Sequence, residues 1–322
     1  MTDDRRQALR DRSAEATVAC LGVSATDDVL LVCNEPQRAI AEAIAAASRR
    51  IAGSVRVVEY PIGTRHGEEP PAGVADAMAQ ATVIIAPTSF SLSHAHARLD
   101  ATRRGARVAT MPTITDDIFA RTLALDYSQL ARSSQRIAGQ LTRASKCRIT
   151  SPGGTEVQLD LAGRAGRSDD GNLGTPGAFG NLPAGEAYIA PIETRGDGTI
   201  VYDGSLAGFG LLEQPLRVTL EDGRAVAASG DAGEWLLRTL DAGGPTGRQI
   251  AEVGIGTNPA ATLTGNILED EKVIGTVHLA FGASISLGGA NRSGVHIDGL
   301  LRLPTVTLDC HPLRLDGPPQ WP

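Results

Sequence analysis

The chain has 322 residues, a formal net charge of −7 and a composition that is 42% hydrophobic, 21% charged and 3% aromatic. That supplies an ordinary globular core but few base-stacking platforms, and the acidic balance without any basic run argues against nucleic-acid or anionic-membrane partners. The start MTDDRRQALRDRS is too polar for a signal peptide, and no apolar run approaches the roughly 18 residues of a membrane span. Cys20, Cys33, Cys147 and Cys310 are scattered without disulfide or metal spacing, which reads as reduced thiols in a cytoplasmic protein.

The length suggests about two domains. Residues 4–16 read as helix. VLLVC (29–33) is a buried-strand run, followed by the helical AIAEAIAAASRRIA and the strand VRVVEYPI (55–62). TVIIAP (82–87) and RVATMP (107–112) repeat the strand signal, with helices expected at 92–104, 114–122 and 127–143. Strands alternating with helices imply parallel pairing and right-handed crossovers. Residues 1–145 are therefore expected to form an open, mostly parallel α/β domain. No GxGxxG follows the first strand, so a dinucleotide site has no support. His94 and His96 fall just past a strand end, at the expected start of a helix, where open α/β sheets place ligands. His94 is the candidate site residue of this half.

From Lys146 the texture changes. CRITSPGGTEVQLDLAGR reads as a hairpin, and the Gly-rich stretch through GAFGNLPAGEAYIAP as a loop able to fold over a cleft. Short strands with tight DG turns follow, together with one helix in GEWLLRTLDAG. Residues 146–322 are expected to form a β-rich α+β domain.

Residues 251–299 carry the chemistry. Glu252, Glu269, Asp270, Glu271, His278, His296 and Asp298 crowd this stretch. In VHID, His296 and Asp298 are two apart, so a strand aims both at one side. Glu271 and His278 are seven apart in EDEKVIGTVHLAF, which has helical character, and two helical turns would put both on one face. Each feature also has an ordinary reading: a lone strand histidine is usually structural, and acidic runs usually cap helices. Imidazole plus carboxylate with no cysteine nearby suits Zn, Mn, Fe or Co. The glycines of GIGTN and GGANRSG allow close backbone approach. Asp309 is a weaker candidate for orienting a ligand histidine.

The run EVGIGTNP…LTGNILEDEKVIGTVHLAFG…GG…S…VHIDGLL resembles the C-terminal domain of the aminopeptidase T-like leucyl aminopeptidases, over about residues 180–310. The resemblance implies two divalent metal ions among Glu186, Glu252, Glu271, His278, His296 and Asp298. It implies a metal-activated water cleaving an amide or peptide bond of a small or short peptide substrate, with Glu252 or Glu271 as general base, in a homodimer. The catalytic tyrosine of those peptidases falls here at Ile285 or a neighbour. The chain also resembles the 2,5-dihydroxypyridine dioxygenases, which hold one Fe(II) with two histidines and an aspartate. Their HxD matches His296 and Asp298, their first metal histidine falls at Glu252, and their acid/base histidine matches His94. A hydrolase, an Fe(II) ring-cleaving dioxygenase and a metal-binding protein without turnover are thus the three classes in play.

Overall fold

The computed structural model describes residues 3–315. In chain order they form α1 (Asp3–Cys20), β1 (Asp28–Cys33), α2 (Arg38–Ser48), β2 (Ser54–Glu59), α3 (Ala72–Gln80), β3 (Val83–Thr88), α4 (His96–Arg103), β4 (Arg107–Pro112), α5 (Asp116–Thr122) and α6 (Tyr127–Arg143). There follow β5 (Lys146–Thr150), β6 (Glu156–Asp160), β7 (Arg167–Asp169), β8 (Phe179–Asn181), β9 (Glu186–Ile189), β10 (Gly196–Tyr202), β11 (Ser205–Leu206), β12 (Gly210–Leu211), β13 (Leu216–Glu221) and β14 (Arg224–Ala228). The chain continues through α7 (Gly230–Ala242), β15 (Ile250–Gly256), α8 (Ile267–Asp270), β16 (Val277–Gly282), β17 (His296–Leu301), β18 (Thr305–Leu308) and β19 (His311–Pro312). Two compact units result: Met1–Ser128 with Gly171–Ala184, and Gln129–Asp170 with Gly185–Pro322. The boundary expected near residue 145 falls inside the second unit, because α6 belongs to that unit's core.

The first unit is built on a parallel sheet of order β2-β1-β3-β4-β8. Every residue of β3 is buried, and so are Val29–Cys33 of β1, as expected for strands covered on both faces. Leu30, Val32, Ile84 and Val108 pack against Val74 and Met78 of α3. At the strand ends Asn34 ties the sheet together, donating to the Tyr60 carbonyl and accepting from the Ser89 amide. Helix α4 begins at His96, so His94 lies in the turn before it rather than on the helix, and it is exposed. The α4 N-terminus has no local cap. Glu69 instead accepts from the His96 and Ala97 amides. The Gly-rich stretch is not a free loop either. It contains β7 and β8, and β8 extends the first unit's sheet through Val108↔Phe179.

The second unit contains two antiparallel sheets of seven strands, β14-β13-β10-β6-β5-β18-β19 and β12-β11-β17-β16-β15-β9-β7. The expected hairpin is β5–β6, with Lys146 opposite Asp160 and Thr150 opposite Glu156. The DG turn is Asp222–Gly223 between β13 and β14, with both residues at positive φ, as a two-residue hairpin of this hand requires. Ile137 and Leu141 of α6 join side chains from both sheets in one core. Leu130, Ser134, Ile137 and Leu141 are buried at helical spacing along α6. Tyr202 is fully buried, and its hydroxyl on β10 donates to the Leu279 carbonyl on β16 at 3.0 Å, linking the sheets. Gly299 lies under its ring, where an added Cβ would collide. Among the described residues no helix is long and apolar enough to cross a membrane.

One expected element is corrected. EDEKVIGTVHLAF is not a helix: helix α8 stops at Asp270, Gly275 adopts φ 78°, and Val277–Gly282 is strand β16. The β-branched run of Val273, Ile274, Thr276 and Val277 favours extended backbone. The strand is buried along its whole length, so it lacks the alternation that would mark it.

Removing the Tyr202 hydroxyl should leave the inter-sheet packing in place but delete its buried link. Tyr202→Phe is expected to cost about 1–2 kcal/mol, seen as a lower urea midpoint at an unchanged slope.

Candidate metal centre

Four adjacent strands, β17-β16-β15-β9, set the site by register. Glu252 pairs with Ala280, and Ala280 with Asp298, so both carboxylates stand in one row with a methyl group between them. The next row is Tyr188, Gly254, His278 and Leu300. One step further, Glu186 pairs with Gly256 on one side and Asp169 on the other. Paired residues, and those two apart on a strand, share a face. Glu186, Glu252, His278, His296 and Asp298 therefore project from one side of the sheet. Gly254 is required here, because an added Cβ would land on the His278 ring.

Glu252 stands between the imidazoles. Its Oε1 lies 3.6 Å from His278 Nε2 and its Oε2 lies 3.1 Å from His296 Nε2. His278 Nε2 is also 3.1 Å from Glu186 Oε2, and His296 Nε2 is 3.3 Å from Asp298 Oδ1. His296 Nδ1–H donates to the Ala283 carbonyl at 2.8 Å, which directs Nε2 at the carboxylates. Three groups of donors lie within 4.8 Å of one another: Glu186–Glu252–His278, Glu252–His296–Asp298 and Glu271–His278–Asp298. The six expected ligand residues thus converge, Glu271 and His278 doing so without the helix. The donor set fits a divalent metal. Glu186 Oε2 is buried and, with His278 Nε2 3.1 Å away, makes no well-aligned hydrogen bond, and the donor separations match ligands about 2.0–2.2 Å from a shared ion.

Sequence reasoning missed Lys272, which is 1% exposed, with its ammonium 2.5 Å from Glu186, 2.7 Å from Glu271 and 3.2 Å from Asp169. It also missed Asp169 and Tyr188. A lysine beside EDE reads as solvated surface, and nothing in LEDEKV signals otherwise. Of the acidic run, only Glu271 faces the donors. Glu269 accepts from the Thr262 amide and Asp270 from the amides of Thr264 and Gly265, so both shape a loop. Asp309 orients no ligand histidine: its carboxylate accepts from the Ser145 and Lys146 amides at the start of β5, and its carbonyl accepts from the exposed His311 ring. Ile285, at the expected tyrosine position, is an exposed residue of a short 3-10 turn.

The electrostatics split the carboxylates. Burial works to raise Glu252, but the neighbouring His278 and His296 imidazoles outweigh it and hold the group far below the usual range. Burial pushes Glu271 up to about 8 despite Lys272. It likewise pushes Asp169 to about 7, with Lys272 opposing and Glu186 adding to the rise. Burial works against protonating His278, yet Glu186 and Glu252 raise it well above its ordinary value. Asp298 and Glu252 do the same for His296. Without a metal, protons supply the positive charge these carboxylates need.

A parallel α/β unit joined to an antiparallel β unit whose sheet face gathers imidazoles and carboxylates describes an enzyme with a candidate metal centre. The chain belongs to the 2,5-dihydroxypyridine 5,6-dioxygenase family, whose model matches residues 13–318. No curated protein matches its sequence. The solved 2,5-dihydroxypyridine dioxygenase from Pseudomonas putida KT2440 has the same fold, with TM-score 0.80, 18% identity and 97% of each chain covered. Wild-type AmpT from Thermus thermophilus also matches, with TM-score 0.71, 19% identity, and 96% of this chain and 99% of that one covered.

Gly254→Ala should push the His278 ring aside and lower divalent-metal affinity by about 10–100-fold, read by calorimetry, with little change in the circular dichroism of the fold.

A divalent ion must displace the protons held on His278 and His296, so metal uptake should release protons and its apparent affinity should fall from about pH 8 to about pH 6. Titrations in buffers of different ionisation enthalpy count the protons. A pH-independent affinity would contradict the raised imidazoles.

Proposed function

We propose that the chain is a metal-dependent hydrolase that cleaves an amide or peptide bond with two divalent cations of the Zn, Mn or Co type. The observation that carries this reading is the placement of Glu252, which presents one oxygen to His278 and the other to His296. A carboxylate shared by two donor groups suits a pair of ions. Charge balance supports the pair: among the described residues, Asp169, Glu186, Glu252, Glu271 and Asp298 face one permanent cation, Lys272. Uncompensated buried charge is costly.

Two such ions would supply a water acidic enough to ionise near neutrality and would polarise the scissile carbonyl. The protein's own groups divide the remaining work. Glu252 stays anionic between the imidazoles and serves as ligand. Glu271 stands beside His278 and Asp298 but outside the other two donor groups, which leaves it as the general base once bound cations hold its carboxylate deprotonated. His296 is held in orientation by the Ala283 carbonyl.

A second reading has its own support. The family match and the dioxygenase structure support a ring-cleaving dioxygenase. On the resemblance read from the sequence, it would use Fe(II), with His94 as its acid/base group. A glutamate at 252 departs from the two-histidine, one-carboxylate triad that mononuclear Fe(II) uses.

Metal analysis coupled to a substrate screen separates the two. The hydrolase reading expects about two Zn, Mn or Co per chain and amine release from aminoacyl amides, with metal lost in His296→Ala and Asp298→Ala. One iron per chain, with oxygen consumed on a dihydroxypyridine and no amine released, would replace it with the dioxygenase.

A further inference from the structure

The three donor groups differ in one respect that the ligand set alone does not reveal. Lys272 touches Glu186 of the first group and Glu271 of the third. Among the described residues, the ion pairs of Glu252 and Asp298 are with imidazoles, and no lysine or arginine reaches the Glu252–His296–Asp298 group. The ammonium cannot swing away. Its side chain is 1% exposed, and the Lys272 carbonyl accepts from the Asn258 amide at 2.9 Å. Gly256 packs so closely on the Val273 carbonyl and the Lys272 carbonyl carbon that a Cβ there would overlap them. Lys272 also occupies Glu186 Oε1, leaving Oε2 as the only oxygen of that carboxylate open to a metal.

We propose that Lys272 is a built-in monovalent cation that grades the two metal positions. A divalent ion fills the Glu252–His296–Asp298 position first and tightly, and the Glu186–Glu252–His278 position second and weakly. This rests on the two-cation reading above. The reason is local. A fixed positive charge repels an incoming divalent ion, most strongly where the dielectric is low, and it competes for the same carboxylate. Lys272 is a positioning residue: it acts on the ions through Glu186 and Glu271. The ordered arrangement lets one ion be held permanently while its neighbour exchanges with the surrounding pool.

The test titrates the metal-free full-length protein with Mn2+ and, separately, Zn2+, by calorimetry with metal counting. The wild type should bind in two steps at least about tenfold apart in affinity. His296→Ala should abolish the tight step and His278→Ala only the weak one. Lys272→Met should strengthen the weak step by about tenfold or more, and Lys272→Arg should preserve the gap. Loss of the tight step in His278→Ala rather than His296→Ala overturns the proposal, and that arm needs no change at Lys272. So does a folded Lys272→Met protein, judged by circular dichroism, whose weak step is unchanged or weaker. A wild type that binds a single ion at the His296 side, with Lys272→Met gaining a second, would refute the two-cation function while supporting the grading by Lys272.

Discussion

Carboxylates removed from water repel one another, and in the second unit four on a sheet face and Glu271 from the turn after α8 gather around Lys272 and two imidazoles. The backbone cannot relieve this repulsion, because the register of four strands fixes where Glu186, Glu252, His278, His296 and Asp298 emerge. Positive charge has to be brought in. Lys272 supplies one unit permanently, and the raised affinity of His278 and His296 for protons shows the face recruiting more. A divalent ion is the natural replacement for those protons, so a metal bound at this face would relieve the same imbalance that otherwise destabilises it.

Large polar side chains converge here because small residues stand between them. Ala280 separates Glu252 from Asp298, and Gly254 receives the His278 ring. A β-sheet normally fills such positions with branched side chains, which pack well but leave no cavity. The anchoring of the loop before β17 is equally deliberate. Glu193, buried, accepts from the Ser284 hydroxyl and the Ala290 amide at 2.5 Å each and pairs with Arg164. That fixes Ser284 next to Ala283, the residue whose carbonyl orients His296.

The sequence displayed some of this plainly. Continuous apolar runs such as VLLVC marked a doubly covered parallel sheet, and VHID marked a strand with two donors on one side. Other parts were hidden for physical reasons. VHLAFG is buried on both faces, so the periodicity that distinguishes strand from helix is erased, and Glu271 and His278 meet across a turn rather than along a helix. Lys272 was invisible because its environment is assembled from Asp169 and Glu186, on strands far away in sequence. The short strand β8 sits in a Gly-rich stretch with no apolar run of its own, and its pairing partner β4 lies some seventy residues earlier.

The return of Gly171–Ala184 to the first unit has a consequence for how this polypeptide is made. The chain passes between its two compact units three times, at 128–129, 170–171 and 184–185. Emerging from a ribosome, the first unit would hold β1 to β4 with an unpaired edge on β4 until β8 arrived. By then α6, β5, β6 and β7, all belonging to the second unit, would already be synthesised and waiting for strands not yet made. Neither unit can close before the other has begun, so assembly of the two is interleaved in time, and a cut at any single point severs a unit from one of its own strands or helices.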